Sequence, residues 1–91
     1  MKTRLDAEGH LEFPCEFPIK AMGEAADDFE ALVVEIVRRH VDDLGEGAVR
    51  SRESREGRYL SVTVTFTARS REQLDALYQE LSRHERIRIV L

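Results

Sequence analysis

The stretch Tyr59–Ala68, YLSVTVTFTA, decides the fold of this 91-residue chain. Apolar residues at positions 60, 62, 64, 66 and 68 alternate with hydroxyl-bearing residues at positions 59, 61, 63, 65 and 67. A period of two, with β-branched and aromatic side chains, is typical of a strand that has one face in a core. The stretch therefore predicts a central strand whose other face carries hydroxyl groups.

Three further stretches predict strands around this one. Phe17–Met22 alternates between apolar and other residues and predicts the first strand. Ala48–Ser54 is charged and predicts an edge strand, because charges on an edge discourage pairing with another chain. Glu56-Gly57 supplies a tight turn between this edge and the central strand, so the two should form a hairpin. Arg86–Leu91, RIRIVL, predicts a last strand with its isoleucines and leucine on one face.

Two stretches predict helices. Ala26–Val41 carries apolar residues at helical spacing, with acidic residues in its first turn and basic residues in its last turn. Ser70 begins the second helix, because Ser70 and Gln73 match a capping box, in which each side chain binds a backbone amide near the helix start. Leucines at positions 74, 77 and 81 give this helix a buried stripe.

The order β-α-β-β-α-β predicts an α+β ferredoxin-like sandwich, a four-stranded antiparallel sheet with two helices on one face. Phe17–Met22 and Tyr59–Ala68 should be the central strands, and the other two strands the edges. Residues 13–91 should form this single domain. Residues 1–12 are polar apart from isolated leucines and are expected to form a loosely ordered N-terminal arm.

Composition favours a globular protein of the cytoplasm. Hydrophobic residues make up 42% of the chain and charged residues 35%. No apolar run approaches the roughly 18 residues that a membrane span needs, and the first residues lack the apolar middle of a signal peptide. The single cysteine, Cys15, has no partner for an internal disulfide, which agrees with this location.

The sheet face that the helices leave open is the candidate surface for a protein partner. The candidate residues on it are Lys20, Met22, Thr63, Thr65, Arg86 and Arg88. Residues 48–71 carry six basic and two acidic groups, although the whole chain has a net charge of −4. A shallow, basic, hydroxyl-rich surface suits an acidic segment of a partner better than it suits a small molecule. The last strand is also an unpaired edge, so a homodimer is a further expectation.

The residue pattern favours no enzyme, and we expect no catalytic, cofactor-binding or metal-binding residues. His10, His40 and His84 are scattered, and Cys15 has no CxxC partner for a metal. The chain has no nucleophile elbow and no glycine-rich phosphate loop. RNA-recognition domains of this fold stack bases on aromatic residues, but threonines occupy the corresponding positions here. A nucleic-acid partner is therefore not expected.

Several blocks of the chain resemble the YbeD-like family of small bacterial proteins of unknown function. They are MKT at the start, FPCEFPIKAMG, GRYLSVTVTFTA, QLDALYQEL and the terminal IVL. The resemblance covers nearly the whole chain and implies an ACT-like variant of the ferredoxin-like fold. Genes of this family often lie beside lipoate-attachment genes, so the resemblance implies an enzyme of lipoate metabolism as a partner.

The resemblance also implies a candidate ligand turn at Gly23 and Glu24. ACT domains bind amino acids and regulate enzymes, and they often use the turn after the first strand for the ligand. Gly23 is expected to end the first strand in a turn that needs a positive φ. The acidic residues around this turn suit an ammonium group better than a carboxylate.

Two functions stay open at this point. The first is a non-enzymatic regulatory or adaptor protein that binds a protein partner through the open sheet face. The alternative is an ACT-like sensor that binds an amino acid or related metabolite near the first strand–helix turn.

Overall fold

The computed structural model describes residues 12–91 and shows six elements in the predicted order. They are β1 (Cys15–Glu24), α1 (Phe29–Arg38), β2 (Val49–Glu53), β3 (Tyr59–Ala68), α2 (Arg71–Arg83) and β4 (Ile87–Val90). The strands lie in the order β2-β3-β1-β4, and each neighbouring pair is antiparallel. The ferredoxin-like prediction is confirmed. The predicted N-terminal arm, residues 1–12, lies outside the described residues except for Glu12.

The pairing of β3 with β1 forms the centre of the sheet. It runs without interruption from Cys15 opposite Ala68 to Glu24 opposite Tyr59. The alternation of β3 holds throughout, because its even-numbered residues face the helices and Val62, Val64 and Ala68 are completely buried. β1 is longer than predicted at both ends because it follows β3 along its whole length.

Helix α1 is shorter than predicted, since it begins at Phe29 rather than Ala26 and ends at Arg38 rather than Val41. The Asp28 side chain stands at the N-cap position but makes no capping hydrogen bond to the helix. Its carboxylate instead accepts two hydrogen bonds from Arg86, at the start of β4. The predicted buried face is correct, and Phe29 is completely buried.

Helix α2 begins as predicted, with a difference in how its cap is built. The Ser70 hydroxyl accepts a 3.1 Å hydrogen bond from the Gln73 amide. The Gln73 side chain, however, accepts from the Arg69 amide rather than from Ser70, and it donates to the backbone oxygen of His40. The start of α2 is thereby tied to the end of α1. A 2.7 Å hydrogen bond between His40 and Glu80 joins the same two helices.

Gly23 does not end β1 in a turn, so that prediction is wrong. It lies inside the strand, and its φ is outside the positive region. A Cβ atom at this position would lie 2.3 Å from the backbone oxygen of Arg86 and 2.7 Å from the Phe29 ring. Glycine is needed here because β4 and α1 both approach the backbone closely.

Strand β4 contains a bulge opposite the end of β1. Gly23 pairs with Ile87 and Met22 pairs with Ile89, so Arg88 is an extra residue without an opposite partner. A bulge of this kind moves every later residue of the strand to the other face of the sheet.

The bulge overturns the predicted facing of β4. Ile87 is buried, as predicted, but Ile89 and Leu91 are exposed on the opposite face. Leu91 forms a pair of backbone hydrogen bonds with Lys20, of 2.8 and 3.0 Å, which places it beside that outward-facing lysine. Val90 takes the inward position and packs against the core.

Candidate functional site

The site is the sheet face opposite the helices, and cross-strand pairing fixes which side chains share it. In one row Arg50 lies beside Thr63, and Thr63 lies beside Lys20. Leu91 completes that row through its backbone bonds to Lys20. We call this surface the open face, and its central residues are Lys20, Met22, Arg50, Arg52, Tyr59, Ser61, Thr63, Thr65, Ile89 and Leu91. Glu24, opposite Tyr59, and Glu16, opposite Thr67, lie on the same face toward its two ends.

A second row lies parallel to the first, two residues along each strand toward the β2–β3 hairpin. It places Arg52 beside Ser61, Ser61 beside Met22, and Met22 beside Ile89. Both rows therefore have an arginine at the β2 edge, a small hydroxyl on β3 and an apolar side chain at the β4 edge. The open face is basic on one side and apolar on the other.

The apolar side is exposed. Among the described residues the large hydrophobic side chains exposed to solvent are Tyr59, Ile89 and Leu91, with 37%, 48% and 64% of their surface accessible. All three lie on the open face. Contiguous exposed apolar groups are a common feature of surfaces that bind other molecules.

The basic side carries charge that no other residue in the described part of the chain neutralises. Within residues 12–91, the side chains of Lys20, Arg50 and Arg52 form no ion pair or hydrogen bond. Their neighbours on β3 are Ser61 and Thr63, which carry no negative charge. These cations are therefore available to an acidic partner.

Arg86 does not join the open face, contrary to its predicted place. Its guanidinium donates two hydrogen bonds to Asp28, of 2.7 and 3.0 Å, at the start of α1. The hydrogen bonds from Arg86 lower the pKa of the Asp28 carboxyl, and those to Asp28 raise the pKa of Arg86. Arg88 stays at the border of the open face, where it donates a 2.8 Å hydrogen bond to Glu24.

Two adjoining depressions mark the hairpin end of the open face. One, of about 570 Å³, is lined by Arg52 and Arg55 together with Met22, Tyr59 and neighbouring residues. The other, of about 270 Å³, lies toward β4 and is lined by Met22, Tyr59 and Ile89 among others. Met22 and Tyr59 line both, so the two depressions lie side by side. The basic and apolar halves of the surface meet there.

The candidate ligand turn forms a separate, smaller cleft of about 210 Å³. Glu24, Glu85, Arg86 and Arg88 contribute its charged side chains. Arg86 and Arg88 are both occupied by carboxylates of the protein itself. On the helix side of β1, the Phe29 ring lies against Gly23, so no room for a ligand remains beside this glycine.

The sequence patterns predicted Lys20, Met22 and the threonines of this surface. They did not reveal that its β2 side is basic and its β4 side apolar. The alternation of Arg50 and Arg52 in β2 was a usable signal, because both residues must share a face in a strand. Their register against β3 was needed to say which face. Ile89 and Leu91 were missed because the bulge at Arg88 leaves no mark in the alternation of RIRIVL.

Between residues 12 and 91, no three His, Cys, Asp or Glu side chains are grouped in a way that could hold a metal ion. No helix in the same range is long and apolar enough to cross a membrane.

Comparison with known proteins gives one family. The family described as "Protein of unknown function (DUF493)" matches residues 8–91. A UPF0250 protein of Chromobacterium violaceum is 50% identical over 81 residues, covering 89% of this chain and 91% of the relative. One from Azotobacter vinelandii is 48% identical over 82 residues, 89% of each chain. The UPF0250 protein NE1487 of Nitrosomonas europaea is 43% identical over 84 residues, 92% of this chain and 97% of the relative.

Proposed function

This chain belongs to the DUF493 family, the same family as the YbeD-like proteins, and we propose that it is a regulatory or adaptor protein. It acts without catalysis, by binding a protein partner through the open face of its sheet. The observation that carries the proposal is the joint presence on this face, within residues 12–91, of three exposed large apolar side chains and three cations without an ion-pair partner in that range.

The two groups of side chains have complementary roles in such a contact. Burial of Ile89 and Leu91 would supply affinity, since apolar area removed from water contributes about 25 cal/mol per Å². Lys20, Arg50 and Arg52 would select an acidic partner and accelerate the encounter. The surface is shallow and extends across four strands, which fits a macromolecule better than a metabolite.

The test is a charge reversal on the open face with a matched control on the helical side. Lys20→Glu with Arg52→Glu removes two unpaired cations from the open face. Arg38→Glu with Arg71→Glu makes the same change in net charge on exposed positions of α1 and α2. Both variants should stay folded, because all four side chains are exposed.

Partners are captured from a bacterial lysate with each variant, and association is then measured with the captured protein. An enzyme of lipoate metabolism, implied by the family resemblance, is the first protein to examine. The open-face variant should associate at least about tenfold more slowly at low salt, and the control should match the unaltered protein. Equal binding by a folded open-face variant would reject the proposal.

A sensor for an amino acid or related metabolite is the second candidate, and the cleft at the start of α1 favours it. The guanidiniums of Arg86 and Arg88 could exchange a protein carboxylate for the carboxylate of a ligand. A thermal-shift screen of amino acids would show a rise in melting temperature for a true ligand. That rise should disappear in Arg88→Ala. No shift with any amino acid would leave the adaptor function as the sole proposal.

A further inference from the structure

We infer that the partner segment on the open face is an amphipathic α-helix of about 13 residues with acidic side chains along one flank. This inference rests on the proposed function and adds the conformation and chemistry of the bound segment. A helix in this position would complete a third layer, with the sheet between it and the pair α1 and α2.

The backbone of the bound segment decides its conformation. A segment laid across the face of a sheet, rather than along an edge, meets side chains and finds no strand backbone to pair with. Where the segment covers the apolar side of the face, its N–H and C=O groups are shielded from water, and a helix satisfies them internally along its whole length. An extended segment would lose those hydrogen bonds wherever it covered Met22, Ile89 or Leu91.

The two edges of the sheet are poor sites for an added strand, which removes the main competing arrangement. β4 has four residues and carries the Arg88 bulge, which interrupts a regular ladder. β2 has five residues, of which Arg50, Arg52 and Glu53 are charged and exposed. Both are features that proteins use to prevent edge pairing.

The dimensions of the open face set the length of the helix. The hydroxyl-bearing side chains of β3 on this face, from Tyr59 to Thr65, lie between Arg50 and Arg52 of β2 and the outward side chains of β1. We call this line of side chains the trough. From the level of Thr65 to that of Tyr59 the strand rises roughly 20 Å, at about 3.3 Å per residue. At 1.5 Å per residue, a helix of about 13 residues spans that distance.

The separation of charge and apolar surface sets the pattern of the helix. Its apolar stripe belongs over Met22, Ile89 and Leu91, and its acidic flank belongs over Arg50 and Arg52. A helix presents two such stripes side by side when apolar residues recur at three- and four-residue spacing and acidic residues lie beside them. The acidic residues should not extend to the opposite end of the trough, where the exposed Glu16 lies opposite Thr67.

The experiment places a photo-reactive amino acid, p-benzoylphenylalanine, in the full chain at Thr63, in the middle of the trough. A second protein carries it at Glu35, an exposed position on α1. After cross-linking in a bacterial lysate, the attached peptide is sequenced by mass spectrometry. The identified segment is then synthesised and titrated against the unmodified protein, and its helicity is followed by circular dichroism.

The expected result is a cross-link at Thr63 to an acidic segment with helical spacing of apolar residues, which gains helicity on binding. Glutamine in place of its acidic residues, or Arg50→Glu with Arg52→Glu in this protein, should weaken binding by about tenfold or more. A Thr63 cross-link to a segment that binds in extended form, or that lacks acidic residues, would overturn this inference and leave the proposed function standing. Cross-links only at Glu35, or at neither position, would overturn both.

Discussion

The change Gly23→Ala should destabilise the protein severely, although it adds a single methyl group. That methyl would lie 2.3 Å from the backbone oxygen of Arg86 and 2.7 and 2.8 Å from two carbons of the Phe29 ring. Neither group has room to yield, since the first is backbone beside the β4 bulge and the Phe29 side chain is completely buried. Overpacking of a core costs typically about 1–3 kcal/mol, and we expect about 3 kcal/mol or more here.

Urea unfolding followed by circular dichroism measures the loss. With an m-value of about 1–1.5 kcal/mol/M for a small domain, a loss of 3 kcal/mol lowers the midpoint by roughly 2–3 M. Gly45→Ala is the control, because a Cβ at Gly45 meets nothing within 4 Å and its φ is not positive. It should change stability little or raise it by about 0.4–1 kcal/mol.

A third variant separates close approach from backbone strain. If Gly23 occupied a turn with positive φ, Gly23→Asn would be tolerated better than Gly23→Ala, since asparagine is the side chain best suited to that region. Close packing predicts the reverse, because asparagine is larger. The reasoning is refuted if Gly23→Ala unfolds at the same urea concentration as Gly45→Ala, or if asparagine restores the loss.

Val64→Ala removes two buried methyl groups and should lower the free energy of unfolding by roughly 1–3 kcal/mol. Thr65→Ala, on the open face, should lower it by well under about 1 kcal/mol. Equal losses in the two variants would contradict the assigned facing of β3. The hydrogen bonds from Arg86 lower the pKa of Asp28 below its unfolded value of about 3.8. This carboxylate therefore contributes stability that is present above the unfolded pKa and is lost as the pH falls through the lower folded pKa. Arg86→Gln should therefore flatten the acid side of a plot of melting temperature against pH, and an unchanged acid side would show that the pair adds no stability. The homodimer through β4 is an untested expectation from the sequence, and the Arg88 bulge argues against it because it shortens the edge. Sedimentation velocity at tens of micromolar should therefore show mainly monomer, and a dimer there would contradict this reasoning.

Much of the fold could be predicted because β3 carries an uninterrupted signal. Its ten residues alternate without a break, and the same alternation is found in the buried and exposed positions of the strand. The element order then follows from local patterns on either side. The helix ends were less accurate where a side chain found a distant partner, as Asp28 did with Arg86 rather than with the helix amides.

The candidate site was only partly predictable, because its two sides depend on contacts between strands. Alternation along the strand predicts that Ile89 is a core residue. The bulge at Arg88 instead places Ile89 on the exposed face. That bulge arises where β4 passes Gly23, more than sixty positions earlier in the chain. The side to which Arg50 and Arg52 point depends on their register against β3, which the residues of β2 do not specify alone.

The most direct test of the open face as the binding surface is the methyl region of the NMR spectrum when the captured partner segment is added. Methyl groups report on side chains, so they distinguish the two faces of the sheet better than backbone amides do. Binding to the open face should shift the methyl signals of Met22, Ile89 and Leu91 and leave those of Leu32, on α1, in place. Shifts confined to Leu32 would contradict the account and assign binding to the helices.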